Sequence, residues 1–419
     1  MQRFKRQSYL HVSLWLAATL VGVVAVVYAK LINLVLEKYF LFFHEHPYLM
    51  SAATPFLFLL ATGLVVKFGP EGKGSGIPQV LQAINEAEMN KIDISESSLV
   101  SLRTATIKIF SSLVGFVAGA SIGREGPTVQ IAASIFSWFG HQARKSVSGI
   151  EPQAFLIAGG AAGVAAAFNT PLAGITFALE EIAEGMFSNF RRPVMLSIII
   201  AGIVAQAMVG DYLYFGHPVT EKSTWVVLPE SLLIGVVAGF FGALFARALA
   251  QKDFKFKCKY WWITALISGV VCAVIGLISD GDSSGSGYEV IRKFMDSENG
   301  QLSFLFWVGK FVSTVFSYHS GMAGGIFSPS LSIGAGVGYA ISMVANLANV
   351  KTCALIGMVA FFSGAVQAPI TAVVIVMEMT GDHSLIIPFM IAAIFAQVIG
   401  KWLMPVPLYR YLAFGNNGE

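Results

Sequence analysis

Long apolar segments recur along the whole chain, and several shorter ones lie between them. The two longest cover residues 11–35 and 226–249, and a further one covers 328–349. Hydrophobic residues make up 55% of the chain and charged residues 12%, with a mean hydropathy of +0.70, which is outside the range of soluble globular domains. A helix that crosses the hydrocarbon core needs about 20 apolar residues. The composition therefore predicts an all-α polytopic membrane protein.

The shorter apolar stretches set a second constraint on the fold. Polar residues, glycine or proline interrupt the chain around residues 154–168, 171–180, 354–366 and 369–377, and each stretch is too short for a full crossing. Irregular backbone at membrane depth is tolerated only where it is buried in protein or lines a watery cavity. We therefore expect many tilted, broken and re-entrant helices around an enclosed site.

The second half of the chain repeats the first. The motifs GGAA (159–162) and NTPL (169–172) match GMVA (357–360) and QAPI (367–370) at one constant spacing. Two further pairs follow in the same order: GSG at 74–76 with GSG at 285–287, and GREGP at 123–127 with GIFSP at 325–329. Repeats with interrupted helices in corresponding positions are typical of transporters whose site lies between the repeats. The pattern predicts an inverted repeat of residues 1–210 and 211–419 in a single transmembrane domain.

Each interruption has glycine and then proline just before an apolar segment, as at residues 74–78, 123–127 and 325–329 and before Pro171. Proline suits the first turn of a helix, and glycine allows close approach of the backbone. The free N–H groups and the positive dipole end of a helix N-terminus bind anions. Four such starts could converge on one anion without a full positive charge, which favours weak and reversible binding.

Glu125 is a carboxylate between two long apolar stretches. Such a group costs on the order of 3 kcal/mol on insertion scales, and it normally marks a cavity, a partner or a transport path. Among helix N-termini it is itself an anion that competes for the site, so its proton is a natural switch. The alternative is a structural ion pair with Arg124, but adjacent residues on a helix do not face each other.

Four segments, GSGIPQV (74–80), GREGPTVQ (123–130), GIFSPS (325–330) and PLY (407–409), together with AAAFNTPLAG (165–174), resemble the signature segments of the CLC chloride channel and transporter family. The resemblance spans nearly the whole chain and follows the family's order. It implies an inverted-repeat fold assembled as a homodimer, with one anion pathway in each subunit. Chloride and protons are then the transported partners, and no cofactor is expected.

The resemblance also implies an anion-binding set. The Ser75 hydroxyl and the Tyr409 phenol would coordinate the central anion, with backbone N–H donors at Gly126, Ile326 and Phe327. Two alternatives stay open from the residues alone. Ser75 could be a plain helix cap, since serine is a preferred cap, and Tyr409 could be an interfacial anchor, since aromatic residues are common near the ends of spans.

In the same family Glu125 matches the gating carboxylate, which faces the outside, and Glu181 matches the inner glutamate that transfers protons in exchangers. Retention of both residues favours a chloride/proton antiporter over a passive channel of the same fold. The alternative for Glu181 is an exposed pair with Glu180 at a helix end. Within the family serine at position 75 accompanies chloride, proline nitrate, and methionine or asparagine fluoride, so a nitrate or fluoride transporter is a more distant alternative.

Other functional classes find little support. The net charge of +3 does not indicate a nucleic-acid partner, and the seven histidines form no H-E-x-x-H motif. The G-x-S-x-G match at residues 281–285 lies in a polar loop without strand-turn-helix context. Cys258, Cys272 and Cys353 lack the spacing of a metal or redox site and are read as structural. We expect neither an enzyme nor a metal centre.

Basic clusters predict the orientation. Lysine and arginine concentrate on the cytoplasmic side of membrane proteins, and two clusters, one at the N-terminus and one between spans, fit this rule: Arg3, Lys5 and Arg6, and Lys252, Lys255, Lys257 and Lys259. We expect a cytoplasmic N-terminus in a bacterial inner membrane. The chain ends soon after Tyr409, so no nucleotide-sensing cytoplasmic module is expected. Lys108, inside an apolar segment, could add to the anion field or pair with a loop.

Overall fold

The structure is a computed structural model and describes residues 2–89, 97–146, 151–182, 187–210, 213–216, 224–251, 260–297, 300–347 and 349–415, with the side chains of 2–8, 146, 187–193 and 224–226 excepted. Cys258 and the basic cluster at 252–259 lie outside these ranges, as do the side chains of the N-terminal cluster. Within the described ranges the chain forms helices and turns but no β-strand.

Seventeen α-helices follow one another in the described residues. The first eight are α1 (Gln2–Glu45), α2 (Pro47–Phe68), α3 (Ile77–Glu88), α4 (Leu102–Val117), α5 (Glu125–Ser146), α6 (Pro152–Phe168), α7 (Pro171–Phe177) and α8 (Phe187–Val209). The others are α9 (Thr224–Ala250), α10 (Trp261–Ile278), α11 (Tyr288–Asp296), α12 (Phe306–His319), α13 (Phe327–Ala345), α14 (Val350–Val366), α15 (Pro369–Thr380), α16 (Ile386–Leu403) and α17 (Leu408–Phe414).

Six stretches of helix in the described residues are long and apolar enough to cross a membrane, and they lie in α1, α2, α9, α10, α13 and the region from α16 to α17. The protein is an integral membrane protein. The shorter apolar stretches form helices of two different lengths. α7, with 7 residues, and α15, with 12, are broken helices, as predicted. α6 and α14 each have 17 residues and reach about 25 Å, so the prediction that they fall short of a crossing holds only narrowly.

The helices pair along the chain in the order that the sequence repeat predicts. α5 packs on α6 as α13 packs on α14, and α6 packs on α8 as α14 packs on α16. Backbone conformations agree as well: Gly74 and Gly76 have positive φ angles of 61° and 101°, and Gly285 and Gly287 have 62° and 81°. The two halves thus share the same local geometry at these positions, while the inverted repeat of residues 1–210 and 211–419 stays a prediction.

A pseudo-two-fold axis passes between the two glycine turns. The Gly123 N–H donates to the Gly325 carbonyl at 2.7 Å, and the Gly325 N–H donates back to the Gly123 carbonyl at 2.7 Å. Equivalent residues that exchange both hydrogen bonds in an antiparallel bridge are what a two-fold relation produces. The repeat therefore brings the starts of α5 and α13 together at one point.

Candidate functional site

Three helix N-termini meet around this axis. Besides the Gly123–Gly325 pair, the Gly74 N–H donates to the Met322 carbonyl at 2.9 Å, and the Gly324 N–H donates to the Gly74 carbonyl at 3.0 Å. These four backbone bonds tie the turn before α13 to the turns before α3 and α5. Three of the four predicted helix starts thus converge, and their free N–H groups lie in one region.

The fourth predicted start, at Pro171, is already occupied. The carboxylate of Glu378 accepts from the Leu172 N–H at 3.2 Å and from the Ala173 N–H at 2.8 Å. Its counterpart Glu180 caps α15 in the same way. The expectation that α7 contributes to an anion site is therefore wrong, because a carboxylate of the other half fills its N-terminus.

Ser75 lies just before α3 with 1% of its surface exposed. The N-cap of α3 is Gly76, which makes no side-chain cap hydrogen bond, and the Ser75 hydroxyl has no hydrogen-bond partner in the described residues. The helix-cap alternative is therefore wrong. A Cβ at Gly126 would overlap with the Ser75 Oγ, so the first turn of α5 approaches this hydroxyl closely only because residue 126 is a glycine.

Tyr409 is the second residue of α17 and is fully buried, which contradicts the interfacial-anchor alternative. The Gln82 amide of α3 donates to the Ala413 carbonyl at 2.6 Å and so holds α17 against α3. The Tyr409 hydroxyl is close to the Ser75 hydroxyl and within electrostatic reach of Glu125, Glu181 and Tyr318. It has no partner that satisfies a hydrogen bond in the described residues, so two free hydroxyls lie side by side.

Glu125 is the first residue of α5 and is fully buried. Its carboxylate accepts from the Ser328 Oγ at 2.7 Å and, at 3.4 Å, from both the Ser328 N–H and the Tyr214 hydroxyl. The Arg124 Nε lies 4.0 Å from Glu125 Oε1, which is much longer than the Ser328 bond. The carboxylate is thus held chiefly by the start of α13, and the Arg124 guanidinium adds a longer ion-pair contact.

Ile326 and Phe327 lie at the N-terminus of α13, as N-cap and first residue. Backbone N–H groups in a first turn have no acceptor within the helix, which agrees with their predicted role as donors. The Phe327 side chain points into an aromatic cluster, with its ring centroid 4.3 Å from that of Phe362 and 4.9 Å from that of Phe168. At the position equivalent to Glu125, the second half therefore has a buried ring.

Glu181 lies in a π-helical turn, Ala178–Ile182, that continues α7. Its side chain is 2% exposed, and Oε2 has no hydrogen-bond partner in the described residues. Glu180, beside it, is bound to the Ile370 and Thr371 N–H groups at 3.1 and 2.7 Å. The exposed-pair alternative is wrong: one carboxylate caps a helix, and the other is buried within electrostatic reach of Tyr409.

Two buried lysines hold the glycine loops. Lys108 donates to the carbonyls of Gly72 and Gly74 at 3.0 and 3.1 Å, so of the two alternatives for this residue the structure shows the loop partner. Lys310, its equivalent in the second half, donates to the carbonyls of Ser283, Ser284 and Gly285. Sequence reasoning missed Lys310, although its position relative to GIFSP repeats that of Lys108 relative to GREGP.

The described residues contain no group of three metal-ligating side chains, and Cys272 and Cys353 are buried and unbridged there. Comparison with known proteins then decides the family. The family model described as "Voltage gated chloride channel" matches residues 57–401. The chain therefore belongs to the voltage gated chloride channel family. The resemblance drawn from the four signature segments is confirmed.

Within this family the chain is similar to the H(+)/Cl(-) exchange transporter ClcA of Vibrio cholerae serotype O1 (strain M66-2). The two are 32% identical over 385 residues, which cover 87% of this chain and 78% of ClcA. The fold also matches solved structures. A slow cyanobacterial Cl-/H+ antiporter matches with a TM-score of 0.84 and 24% identity over 97% of both chains. A CLC-type fluoride/proton antiporter matches with a TM-score of 0.79 and 23% identity, covering 94% of this chain and 96% of its own. The predicted fold class is confirmed.

Proposed function

We propose that this protein is a secondary active antiporter that exchanges chloride for protons. One observation supports this most strongly: two buried carboxylates, Glu125 and Glu181, lie within electrostatic reach of the same phenol, Tyr409. An anion site alone needs neither of these two carboxylates. A path for protons beside an anion site needs both, one for each side of the membrane. The ClcA relative is named for the same exchange.

The gate works by competition. Ionised Glu125 accepts from the N–H and the hydroxyl of Ser328 at the start of α13, next to the proposed donor Phe327, and its negative charge repels an anion that approaches this helix end. Protonation removes the charge that these donors stabilise, since hydrogen bonds to charged groups are roughly twice as strong as neutral ones. The neutral side chain then leaves, and chloride binds with the Ser75 and Tyr409 hydroxyls and the N–H groups of Gly126, Ile326 and Phe327.

Glu181 supplies the proton from the inner side in this proposal. A proton carrier has to be buried near the gate and free of a permanent partner. Glu181 meets this requirement through its unpaired Oε2, whereas Glu180 is engaged with the N-terminus of α15. This difference between neighbours favours exchange over the alternative of a passive chloride channel, which needs no second buried carboxylate.

Chloride is the proposed anion because Ser75 is the side chain at the centre of the site. One of the structural neighbours is a fluoride/proton antiporter, and fluoride and nitrate transport are the alternatives. The sequence identity to that antiporter is 23%, so the match supports the fold and does not indicate which anion is transported. We propose no enzymatic activity and no cofactor, because the site offers donors for an anion and carriers for a proton.

We further propose a homodimer in a bacterial inner membrane, with the N-terminus in the cytoplasm. α8 and α16 both present exposed apolar side chains, in the stretches 193–208 and 384–400. They include Leu196, Ile199, Ile203, Ile387, Ile394 and Val398. Such a face suits either lipid or a second copy, and chemical cross-linking of cysteines placed at Ile203 and Ile394 in native membranes distinguishes the two.

The test is proton uptake driven by a chloride gradient in proteoliposomes. Wild-type protein is expected to move protons uphill, which a channel cannot do. Glu125→Gln is expected to retain chloride flux and lose proton movement, because the amide mimics a protonated gate. Glu181→Val is expected to give the same loss, with the gate intact.

The neighbouring variant Glu180→Gln is the matched control for Glu181. It alters a carboxylate one residue away that is bound to backbone, and proton coupling should survive. A wild-type protein that carries chloride but never drives protons uphill would be a channel. Persistent coupling in Glu181→Val would remove that residue from the proton path.

A further inference from the structure

Glu125 has two hydroxyl partners that neither the sequence nor its family resemblance singled out. The Ser328 Oγ donates to Glu125 Oε1 at 2.7 Å, and the Tyr214 hydroxyl donates to the same oxygen at 3.4 Å. The two hydroxyls are 3.5 Å apart. The three groups form a closed triangle, and all three residues are at least 98% buried.

The backbone places Ser328 for this contact. It is the second residue of α13, and its N–H lies 3.4 Å from the second oxygen of the Glu125 carboxylate. A Cβ at Gly123 would lie 2.5 Å from this oxygen and 3.4 Å from the Ser328 Cβ. The glycine therefore leaves the space in which the carboxylate and the serine meet.

Tyr214 comes from a different part of the chain. The short segment 213–216 is anchored where the Phe215 N–H donates to the Met379 carbonyl at 3.0 Å. The Tyr214 ring packs against Tyr288, with centroids 4.3 Å apart, and the Arg124 guanidinium lies over its face at 5.5 Å. This packing fixes the direction of the phenol, because tyrosine has few rotatable bonds and a bulky ring.

We propose that Ser328 and Tyr214 are positioning residues that hold ionised Glu125 in its closed position and set the pH at which the gate opens. This inference rests on the proposed gating role of Glu125. A hydrogen bond donated to a carboxylate is about twice as strong as one between neutral groups. Both hydroxyls therefore stabilise the closed, ionised gate more than the protonated one.

The other ionisable groups around Glu125 do not replace this effect. The guanidinium of Arg124, the residue just before α5, lies 4.0 Å from the carboxylate. Tyr28 of α1 and Tyr409 of α17 interact with Glu125 electrostatically, and the Tyr28 hydroxyl is engaged with Ser112 at 2.6 Å. Ser328→Ala and Tyr214→Phe leave these neighbours in place, so a difference between wild type and variant reports the lost hydrogen bond.

The experiment measures chloride efflux from proteoliposomes as a function of pH. In Ser328→Ala, loss of the 2.7 Å donor should let the gate open at about tenfold lower proton concentration, so half-maximal flux moves up by about one pH unit. Tyr214→Phe, which loses only the longer bond, should move it by about two- to threefold in proton concentration. Ser328→Thr retains a hydroxyl and should behave like wild type.

Ser330→Ala is the matched control. Ser330 lies on the same helix and is equally buried, but its hydroxyl donates to the Phe327 carbonyl of that helix at 2.6 Å. Its pH profile should not move. An unchanged midpoint in both Ser328→Ala and Tyr214→Phe would overturn the proposal, as would a shift of equal size in Ser330→Ala.

The double variants with Glu125→Gln give the decisive comparison. If the hydroxyls act through the carboxylate, Ser328→Ala should change nothing further in the pH profile of Glu125→Gln. An equal shift in that background would mean that Ser328 acts elsewhere. Because the readout is chloride flux, failure of the antiport proposal would appear separately, as absence of uphill proton movement in wild type.

Discussion

The two buried lysines lead to a prediction that separates stability from transport. Lys310→Met removes a side chain that donates to three carbonyls, at 3.0, 3.0 and 2.7 Å. A neutral amine has two N–H bonds, so three donated bonds require the ammonium form. At about 1.5–3 kcal/mol for each bond to a charged group, the three bonds amount to roughly 4.5–9 kcal/mol before any compensation.

The compensation comes from burial. Taking an ammonium out of water costs several kcal/mol, and burial of the uncharged methionine side chain has no such cost. We therefore expect Lys310→Met to lower the free energy of unfolding by about 2–4 kcal/mol. Lys108→Met loses two carbonyl bonds, at 3.0 and 3.1 Å, and by the same reasoning should lower it by about 1–3 kcal/mol.

Chloride binding should be affected in the opposite order, more in Lys108→Met than in Lys310→Met. Lys108 holds the carbonyl of Gly74, next to Ser75, so Lys108→Met should weaken chloride binding. Lys310 holds the loop at residues 283–285, which contributes no proposed anion ligand, so the folded fraction of Lys310→Met should bind chloride like wild type. Denaturation in detergent micelles gives stability, and calorimetric titration with chloride gives binding.

Lys351→Met is the matched control for the lysines. Lys351 also donates to two carbonyls, those of Met295 and Ser297 at 2.9 and 2.8 Å, but it is only half-buried. Loss of its bonds should change the free energy of unfolding by about 1 kcal/mol or less, because water replaces the donor. If Lys310→Met weakened chloride binding as much as Lys108→Met, the second glycine loop would belong to the anion site and the reasoning would be wrong.

Three other single variants, and one double variant, test the scaffold. Glu180→Gln and Glu378→Gln each remove a charge from a helix N-terminus and should lower the free energy of unfolding by about 1–2 kcal/mol. The double variant should lose less stability than the sum of the two single losses, because each cap positions the helix that bears the other. Strict additivity in denaturant titrations would contradict this. Gly126→Ala places a methyl group against the Ser75 Oγ and 2.7 Å from the Ser75 carbonyl oxygen. The affinity for chloride, measured by calorimetry, should therefore fall at least tenfold. Wild-type affinity would mean that α5 can move away without weakening the anion site.

The sequence predicted the parts of the site that have a local signature. Glycine and proline before apolar segments placed the starts of α3, α5 and α13, and a carboxylate in an apolar region marked Glu125. Ser328 and Tyr214 could not be predicted, since their contacts with Glu125 cross 203 and 89 residues and a single sequence does not give such distances. The role of Glu378 at Pro171 was hidden for the same reason.

The halves match in scaffold and differ in chemistry. Both have two left-handed glycines before a short helix, a buried lysine on the loop carbonyls and a glutamate on the other half's helix. Ser75 has an unpartnered hydroxyl, whereas Ser286, its equivalent, accepts from the Tyr288 N–H at 3.3 Å.

The two proposed proton carriers follow the same rule. Phe327 stands where the first half has Glu125, and Met379 stands where it has Glu181. Both counterparts are fully buried apolar side chains. A symmetric pair of gates would place two carboxylates at the Gly123–Gly325 axis, and like charges that close disfavour ionisation of both. The aromatic side chain at 327 avoids this conflict and leaves one carboxylate to respond to one proton.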